Sequence, residues 1–200
     1  MRPFIRFISS QPRAWVQVSG AVWRSNRRVS LDFVVRAHRQ GPVAGRWRVD
    51  VIDVKEFSLT DVDGGGLAFT RRWHPVLQQY LDPVVSLRIT RPPPDVQRAI
   101  GALWRGHVDA VDDWVRPDRY LGSRVALEAR LERPRGIVCR GPAFLVRRYS
   151  KVLAQHGART SVSSSKTRGR RSKVPLALRH FGSSFIVAAS FAARRERSGR

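Results

Sequence analysis

Strongly apolar residues occupy every second position in two stretches near the start of the chain, residues 31–35 and 47–51. This period places one face of a strand on a core and the other towards solvent. Residues 14–23 predict an earlier strand, and the link over residues 38–46, with two glycines and a proline, predicts a hairpin with a longer loop. We therefore predict a mostly antiparallel, β-rich region over residues 1–94.

The middle of the chain shows helical periodicity instead. Apolar residues recur every three or four positions behind Asp95, whose carboxylate suits a helix N-cap. The longest helix is therefore predicted over residues 95–115, and a second helix over residues 124–133, where Pro134 ends it. These two helices define a helical region over residues 95–135. Two shorter elements precede this region, a helix over residues 74–81 and a strand over residues 85–89.

The last third of the chain is predicted to run strand, helix, strand, loop, strand, strand. The strands are expected at residues 136–139, 159–162, 174–179 and 184–191, and the helix at residues 144–153. Gly157 follows this helix at the usual C-terminal position, and Gly182-Ser183 suits a hairpin turn. We predict a basic α+β region over residues 136–193 and a disordered basic tail over residues 194–200. The chain is therefore assigned to the α+β class, with an antiparallel N-terminal sheet, a central long helix and a C-terminal strand-helix-strand-strand unit.

The charge of the chain is strongly positive, with 38 Lys+Arg against 15 Asp+Glu and a net charge of +23. Hydrophobic residues make up 42% of the chain, so the chain can build a packed core despite this charge. The excess is concentrated in residues 136–200, which hold 15 cations and one acid. Such a charge indicates an anionic partner, of which nucleic acid is the commonest and an anionic membrane surface the next.

The most basic stretch is the segment over residues 166–173, which holds five cations and no acid. Burying unpaired charge is costly, so we expect this segment to be an exposed loop between two strands. Contacts of such cations with phosphate give affinity without sequence information, so they leave DNA and RNA undecided. The candidate phosphate-binding residues are Arg147, Arg148, Lys151, Arg159, Lys166, Arg168, Arg170, Arg171 and Lys173.

Catalytic signatures are absent from the sequence. It contains no nucleophile elbow, phosphate-binding Gly-Lys loop or zinc-binding His-Glu motif. Cys139, the single cysteine, lies in an apolar stretch and is expected to be a buried core thiol. His107 lies near Asp109, Asp112 and Asp113, but their spacing does not suit a metal site, so we expect a solvated acidic face that could also pair with the chain's own cations. We predict no catalytic residue, no metal site and no cofactor.

Three functions are consistent with these patterns. The first is a non-enzymatic, nucleic-acid-associated protein that binds the phosphate backbone through its basic C-terminal region. The alternative is a structural or adaptor protein whose basic loop docks an acidic protein surface. A weaker alternative is an enzyme that holds an anionic substrate where Gly141-Pro142 leads into a helix.

The location of the protein follows from weaker signals. No apolar run reaches the length of a membrane span, and a single cysteine fits a reducing, intracellular and cytoplasmic setting. The first 31 residues hold six arginines and no acid, a composition that also fits an organellar transit peptide. The strand-like pattern over residues 14–23 argues against targeting, which is not the favoured interpretation.

Overall fold

A computed structural model of the chain describes residues 1–11, 13–58, 63–64, 68–70, 73–112, 114–164, 177–181 and 184–196. The helices are α1 (Arg2–Ser9), α2 (Pro75–Leu81), α3 (Val96–Val111), α4 (Asp118–Leu121), α5 (Arg124–Glu132) and α6 (Ala143–Gln155). The strands are β1 (Trp15–Ser25), β2 (Arg28–Arg36), β3 (Val43–Ser58), β4 (Asp63–Gly64), β5 (Ala68–Thr70), β6 (Val84–Arg91), β7 (Ile137–Pro142), β8 (Arg159–Ser164), β9 (Ala177–Phe181) and β10 (Ser184–Arg195). The mixture of helices with two antiparallel sheets confirms the predicted α+β class.

The chain forms two compact units. The first unit combines Met1–Trp73 with Val174–Arg200, and the second unit is His74–Lys173. The second unit is therefore inserted in sequence between the strands of the first. The long antiparallel pairing of β3 with β10 joins parts of the first unit that lie on either side of this insertion.

The first unit is built on a seven-stranded antiparallel sheet in the order β4-β1-β2-β3-β10-β9-β5. Its two edge strands, β4 and β5, are separated in sequence only by residues 65–67. A chain that short spans at most about 14 Å, so the sheet must curve until its edges approach each other. The concave face carries the core, which includes Leu31, Phe33, Val49 and Ile186.

Helix α1 fills the concave face of this sheet, and the sequence patterns above did not predict it. Phe4 is fully buried, with its ring centroid 5.5 Å from that of Phe33 and 5.0 Å from that of Trp47. A Cβ at Gly45 would lie 3.2 Å from the Phe7 ring, so glycine lets the helix approach the sheet. An eight-residue helix is marginal alone, and this packing stabilises it.

The second unit holds a three-stranded antiparallel sheet in the order β7-β6-β8, with Leu87 of β6 paired to Cys139 and Val162. Helix α6 packs on the inner face of this sheet, where the Ser150 hydroxyl lies 2.7 Å from that of Thr160. The predicted succession β7, α6, β8, β9 and β10 is present in the described residues. The predicted turn at Gly182-Ser183 lies outside them.

Most helices begin where the sequence predicts. The Asp95 carboxylate accepts a hydrogen bond from the Arg98 amide at 2.8 Å, which confirms the predicted N-cap of α3. The predicted end of this helix near Val115 was wrong, because Asp112 adopts the left-handed conformation (φ 47°) and ends the helix after Val111. Helices α2 and α5 match their predicted positions, whereas the four-residue α4 was not predicted.

The predicted tail begins too early. Arg194 and Arg195 belong to β10 and pair with Arg48 and Trp47 of β3, because β3 extends far enough to offer backbone partners to both residues. Residues 197–200 lie outside the described part of the chain. None of the described helices is long and apolar enough to cross a membrane.

Candidate functional site

Helix α6 brings three of the predicted phosphate-binding residues onto one surface. Its apolar residues recur at helical spacing, and Leu145, Tyr149 and Leu153 are fully buried. Arg147, Arg148 and Lys151 fall on the opposite, exposed side. Because residues three and four apart are neighbours on a helix surface, Lys151 lies beside both arginines.

Helix α3 packs closely against α6. A Cβ at Gly106 would lie 3.0 Å from a methyl group of Val152, so the absent side chain sets how near the two helices come. At the next residue of α3, His107 Nδ1 lies 2.5 Å from the Tyr149 hydroxyl, and His107 Nε2 lies 2.5 Å from the Val115 carbonyl oxygen. These contacts fix the position of α6 and therefore of its exposed cations.

A groove of about 230 Å³ runs along the contact of α3 with α6. Arg105 of α3 lines it together with Arg148, Lys151 and His156, and Asp109 is the one acid among the described residues of its lining. The remaining lining residues are Ala102, Gly106, Val152 and Gln155. The groove is therefore an open, mostly cationic channel rather than an apolar pocket.

Asp109 neutralises only part of this charge. Its carboxylate lies 3.6 Å from the Arg148 guanidinium, and the two side chains are 63% and 44% exposed. An exposed pair of this kind contributes about 0–1 kcal/mol, so another anion can replace the aspartate at little cost. Among the described residues, Arg105, Arg147 and Lys151 have no ion-pair partner.

The other predicted phosphate-binding residues lie apart from this groove or outside the described structure. Arg159 is exposed at the start of β8, the edge strand of the second unit's sheet. The predicted basic loop, with Lys166, Arg168, Arg170, Arg171 and Lys173, lies outside the described residues, between the end of β8 and the start of β9. The structure thus brings together Arg147, Arg148 and Lys151 and adds Arg105, Gln155 and His156, which the sequence alone did not indicate.

Arg105 could be placed on the polar side of α3 from periodicity alone. What the sequence did not show is that this side borders α6, since that contact depends on tertiary packing at Gly106 and Val152. The same packing corrects the expectation for His107, which is fully buried between Tyr149 and Val115 and does not belong to a solvated face. The expectation that the acidic residues pair with the chain's own cations is confirmed for Asp109.

The start of α6 is occupied by a side chain of the second unit. The Asp82 carboxylate accepts a hydrogen bond from the Phe144 amide at 2.8 Å. A Cβ at Gly141 would lie 2.9 Å from the Tyr120 ring, so the approach to this end of the helix is also narrow. A substrate anion at the Gly141-Pro142 helix start would have to displace Asp82.

Burial keeps two ionisable side chains of the second unit, Cys139 and Tyr149, neutral. Burial raises the pKa of the Cys139 thiol to about 12, and the nearby charge of Arg130 opposes this only in part. Burial also raises the pKa of the Tyr149 hydroxyl. Both groups stay protonated at neutral pH and face the core, so neither is placed to react with a bound molecule. Within the described part of the chain, no three His, Cys, Asp or Glu side chains group as metal ligands.

The groove has the chemistry of an anion-binding surface. Guanidinium groups donate paired hydrogen bonds to phosphate or carboxylate oxygens, and an ammonium adds a mobile point charge. Residues 133–173 of the second unit hold twelve cations and no acid, so strands β7 and β8 offer no acid that could neutralise the cations of α6. Comparison of the chain with protein-family models, curated proteins and solved structures gives no match.

Proposed function

We propose that this protein binds the sugar-phosphate backbone of nucleic acid through the exposed side of α6 and the groove beside it, without catalysing a reaction. The observation that carries the proposal is the placement of Arg147, Arg148 and Lys151 on one exposed helix surface, joined across the groove by Arg105. Within the part of the chain that the structure describes, Asp109 is the only acid in the groove lining.

The arrangement is electrostatically unfavourable in the free protein. Like charges three or four residues apart on a helix destabilise it by about 0.2–0.5 kcal/mol per pair. Lys151 makes two such pairs, one with Arg147 and one with Arg148. Phosphates bound in the groove offset the repulsion between these cations, and their binding releases counterions from the nucleic acid.

The exposed surface favours a phosphate chain over a membrane surface. Helices that lie on membranes combine a basic face with a large apolar face that inserts between lipids. On α6 the exposed positions are Arg147, Arg148, Lys151, Ala154 and Gln155, and none of them is a large apolar residue. Contacts of this kind position a nucleic acid without reading its sequence, so the proposal includes both DNA and RNA.

The basic loop predicted from the sequence extends the proposal beyond α6. Its five cations, from Lys166 to Lys173, begin two residues after β8 ends at Ser164. A nucleic acid held along the second unit would give them further phosphates to bind.

The test is fluorescence anisotropy with labelled duplexes and single strands of DNA and RNA. We would compare the wild type with the variant R147Q/R148Q/K151Q. The matched control, R13Q/R28Q/R46Q, removes the same charge from exposed arginines of the first unit. We expect the α6 variant to bind about tenfold or more weakly for every sequence, because three phosphate contacts are lost. The control should retain most of the affinity.

Two results would contradict the proposal. The first is equal weakening in both triple variants, which would mean that net charge alone is responsible for binding. The second is a wild-type protein that binds none of the four nucleic acids at about 100 mM salt, where backbone contacts still act. If that protein instead bound polyglutamate, and the α6 variant did not, the alternative of docking on an acidic protein surface would replace the proposal.

A further inference from the structure

The outer face of the three-stranded sheet in the second unit carries two arginines between serines and apolar residues. Side chains alternate across a strand, so residues next to the buried Leu87 point to the opposite side. The pairing places the buried Ser86 between Ser163 and Arg140, and Arg88 between Ser161 and Ile137. Arg88 and Arg140 are therefore the cations near the centre of this face.

Two arginines near the centre of the outer face are available to a ligand. Arg88 and Arg140 are exposed, and neither has a hydrogen-bond or ion-pair partner among the described residues. Because Arg140 is paired with Ser86, Arg88 is its diagonal neighbour, about 7–8 Å away along the sheet. Strands β6, β7 and β8 contain no acid, so no side chain on these strands neutralises the charges of Arg88 and Arg140.

This face and the exposed side of α6 lie on opposite sides of the second unit. Helix α6 packs on the inner face, as the contact between Ser150 and Thr160 shows. Ser150 faces the sheet, Tyr149 and Val152 face α3, and Arg147, Arg148 and Lys151 lie on the remaining, exposed side. A straight, short duplex cannot touch both sides, because the helix layer and the sheet separate them.

We infer that the outer face of this sheet is a second phosphate-binding surface, so that one chain holds two nucleic-acid segments at once. The inference rests on the proposed function and adds a second, independent site to it. Arg88 and Arg140 donate paired hydrogen bonds to phosphate oxygens, and the exposed hydroxyls of Ser161 and Ser163 donate single ones. With no aromatic side chain on these strands for base stacking, the contacts are to the backbone.

Two-colour sedimentation velocity tests the inference directly. Two 12-base-pair duplexes that carry different dyes are mixed with the full-length protein at low salt. The expected result for the wild type is a species with one chain and both dyes. The variant R88Q/R140Q should hold one duplex per chain, and R88K/R140K should recover the second because it keeps the charge. The control R28Q/R46Q removes two exposed arginines of the first unit and should still hold two duplexes.

The outcomes separate this inference from the proposed function. A wild type that saturates at one duplex, and loses that duplex in R147Q/R148Q/K151Q, would overturn the inference and leave the proposed function intact. R88Q/R140Q that still carries two duplexes would also overturn it. A wild type that binds no duplex would contradict the proposed function itself.

Discussion

Phe4 is the side chain through which α1 fills the core of the first unit, and its removal gives a quantitative test of that fold. The side chain is fully buried and contacts two aromatic rings, those of Phe33 and Trp47. Replacing a buried phenylalanine with alanine costs about 3–5 kcal/mol, because apolar contact is lost and a cavity remains. Aromatic pairs add about 0.5–1.5 kcal/mol beyond the buried area, which favours the upper part of this range.

Hydrogen exchange measured by mass spectrometry would give the magnitude. The amides to follow are those of Val29, Leu31, Val49 and Val51, which lie on the buried strands β2 and β3. A loss of 3 kcal/mol in the free energy of opening speeds their exchange by about a hundredfold or more in Phe4→Ala. Far-ultraviolet circular dichroism of the same samples would check that the variant still folds.

Arg6→Ala is the matched control, because Arg6 is exposed on the same helix. A surface change of this kind is expected to alter stability by less than about 0.5 kcal/mol. Exchange in Phe4→Ala that is less than about fivefold faster than wild type corresponds to under 1 kcal/mol. That result would refute the packing of α1 on the sheet.

Two further predictions concern the second unit. Gly157→Ala should lower the free energy of unfolding by about 1–2 kcal/mol in urea denaturation, because φ is +77° there and an added Cβ would lie 3.1 Å from Pro94. The control Gly101→Ala, where an added Cβ on α3 would meet open space, should not lower it. Burial raises the pKa of the Cys139 thiol, so the thiol should react with a maleimide at pH 8 only after denaturation. In the unfolded chain the thiol ionises at a lower pH than in the folded chain. Its contribution to stability is therefore complete below about pH 9 and is lost as the pH rises towards 12, a trend that Cys139→Ala should remove. Rapid labelling of the native protein at pH 8 would contradict the burial of the thiol.

Local sequence patterns predicted many of the helices and strands. The alternation over residues 31–35 and 47–51 lies in β2 and β3, and the periodicity behind Asp95 lies in α3. These signals depend only on neighbouring residues, which the sequence contains. The pairing of β3 with β10 has no such signal, because a whole compact unit separates the two strands in sequence.

The candidate site shows the same division between local and tertiary information. Arg147, Arg148 and Lys151 were predicted as phosphate ligands from charge alone, and periodicity places them on one side of α6. The participation of Arg105 depends on a close helix contact that a glycine permits, and no single stretch of sequence describes that contact. The burial of His107 depends on it too, since Tyr149 and Val115 reach the ring only after the helices pack.

The salt dependence of affinity would show whether the cations of α6 bind phosphates. The measurement is the slope of log affinity against log salt concentration for one duplex DNA, with the wild type, R147Q/R148Q/K151Q and R13Q/R28Q/R46Q. Each phosphate contact contributes about 0.9 to the magnitude of this slope, so loss of three contacts lowers it by about 2.7 in the α6 variant. We expect that decrease in the α6 variant and a nearly unchanged slope in the control. Equal slopes in the wild type and the α6 variant would contradict this expectation.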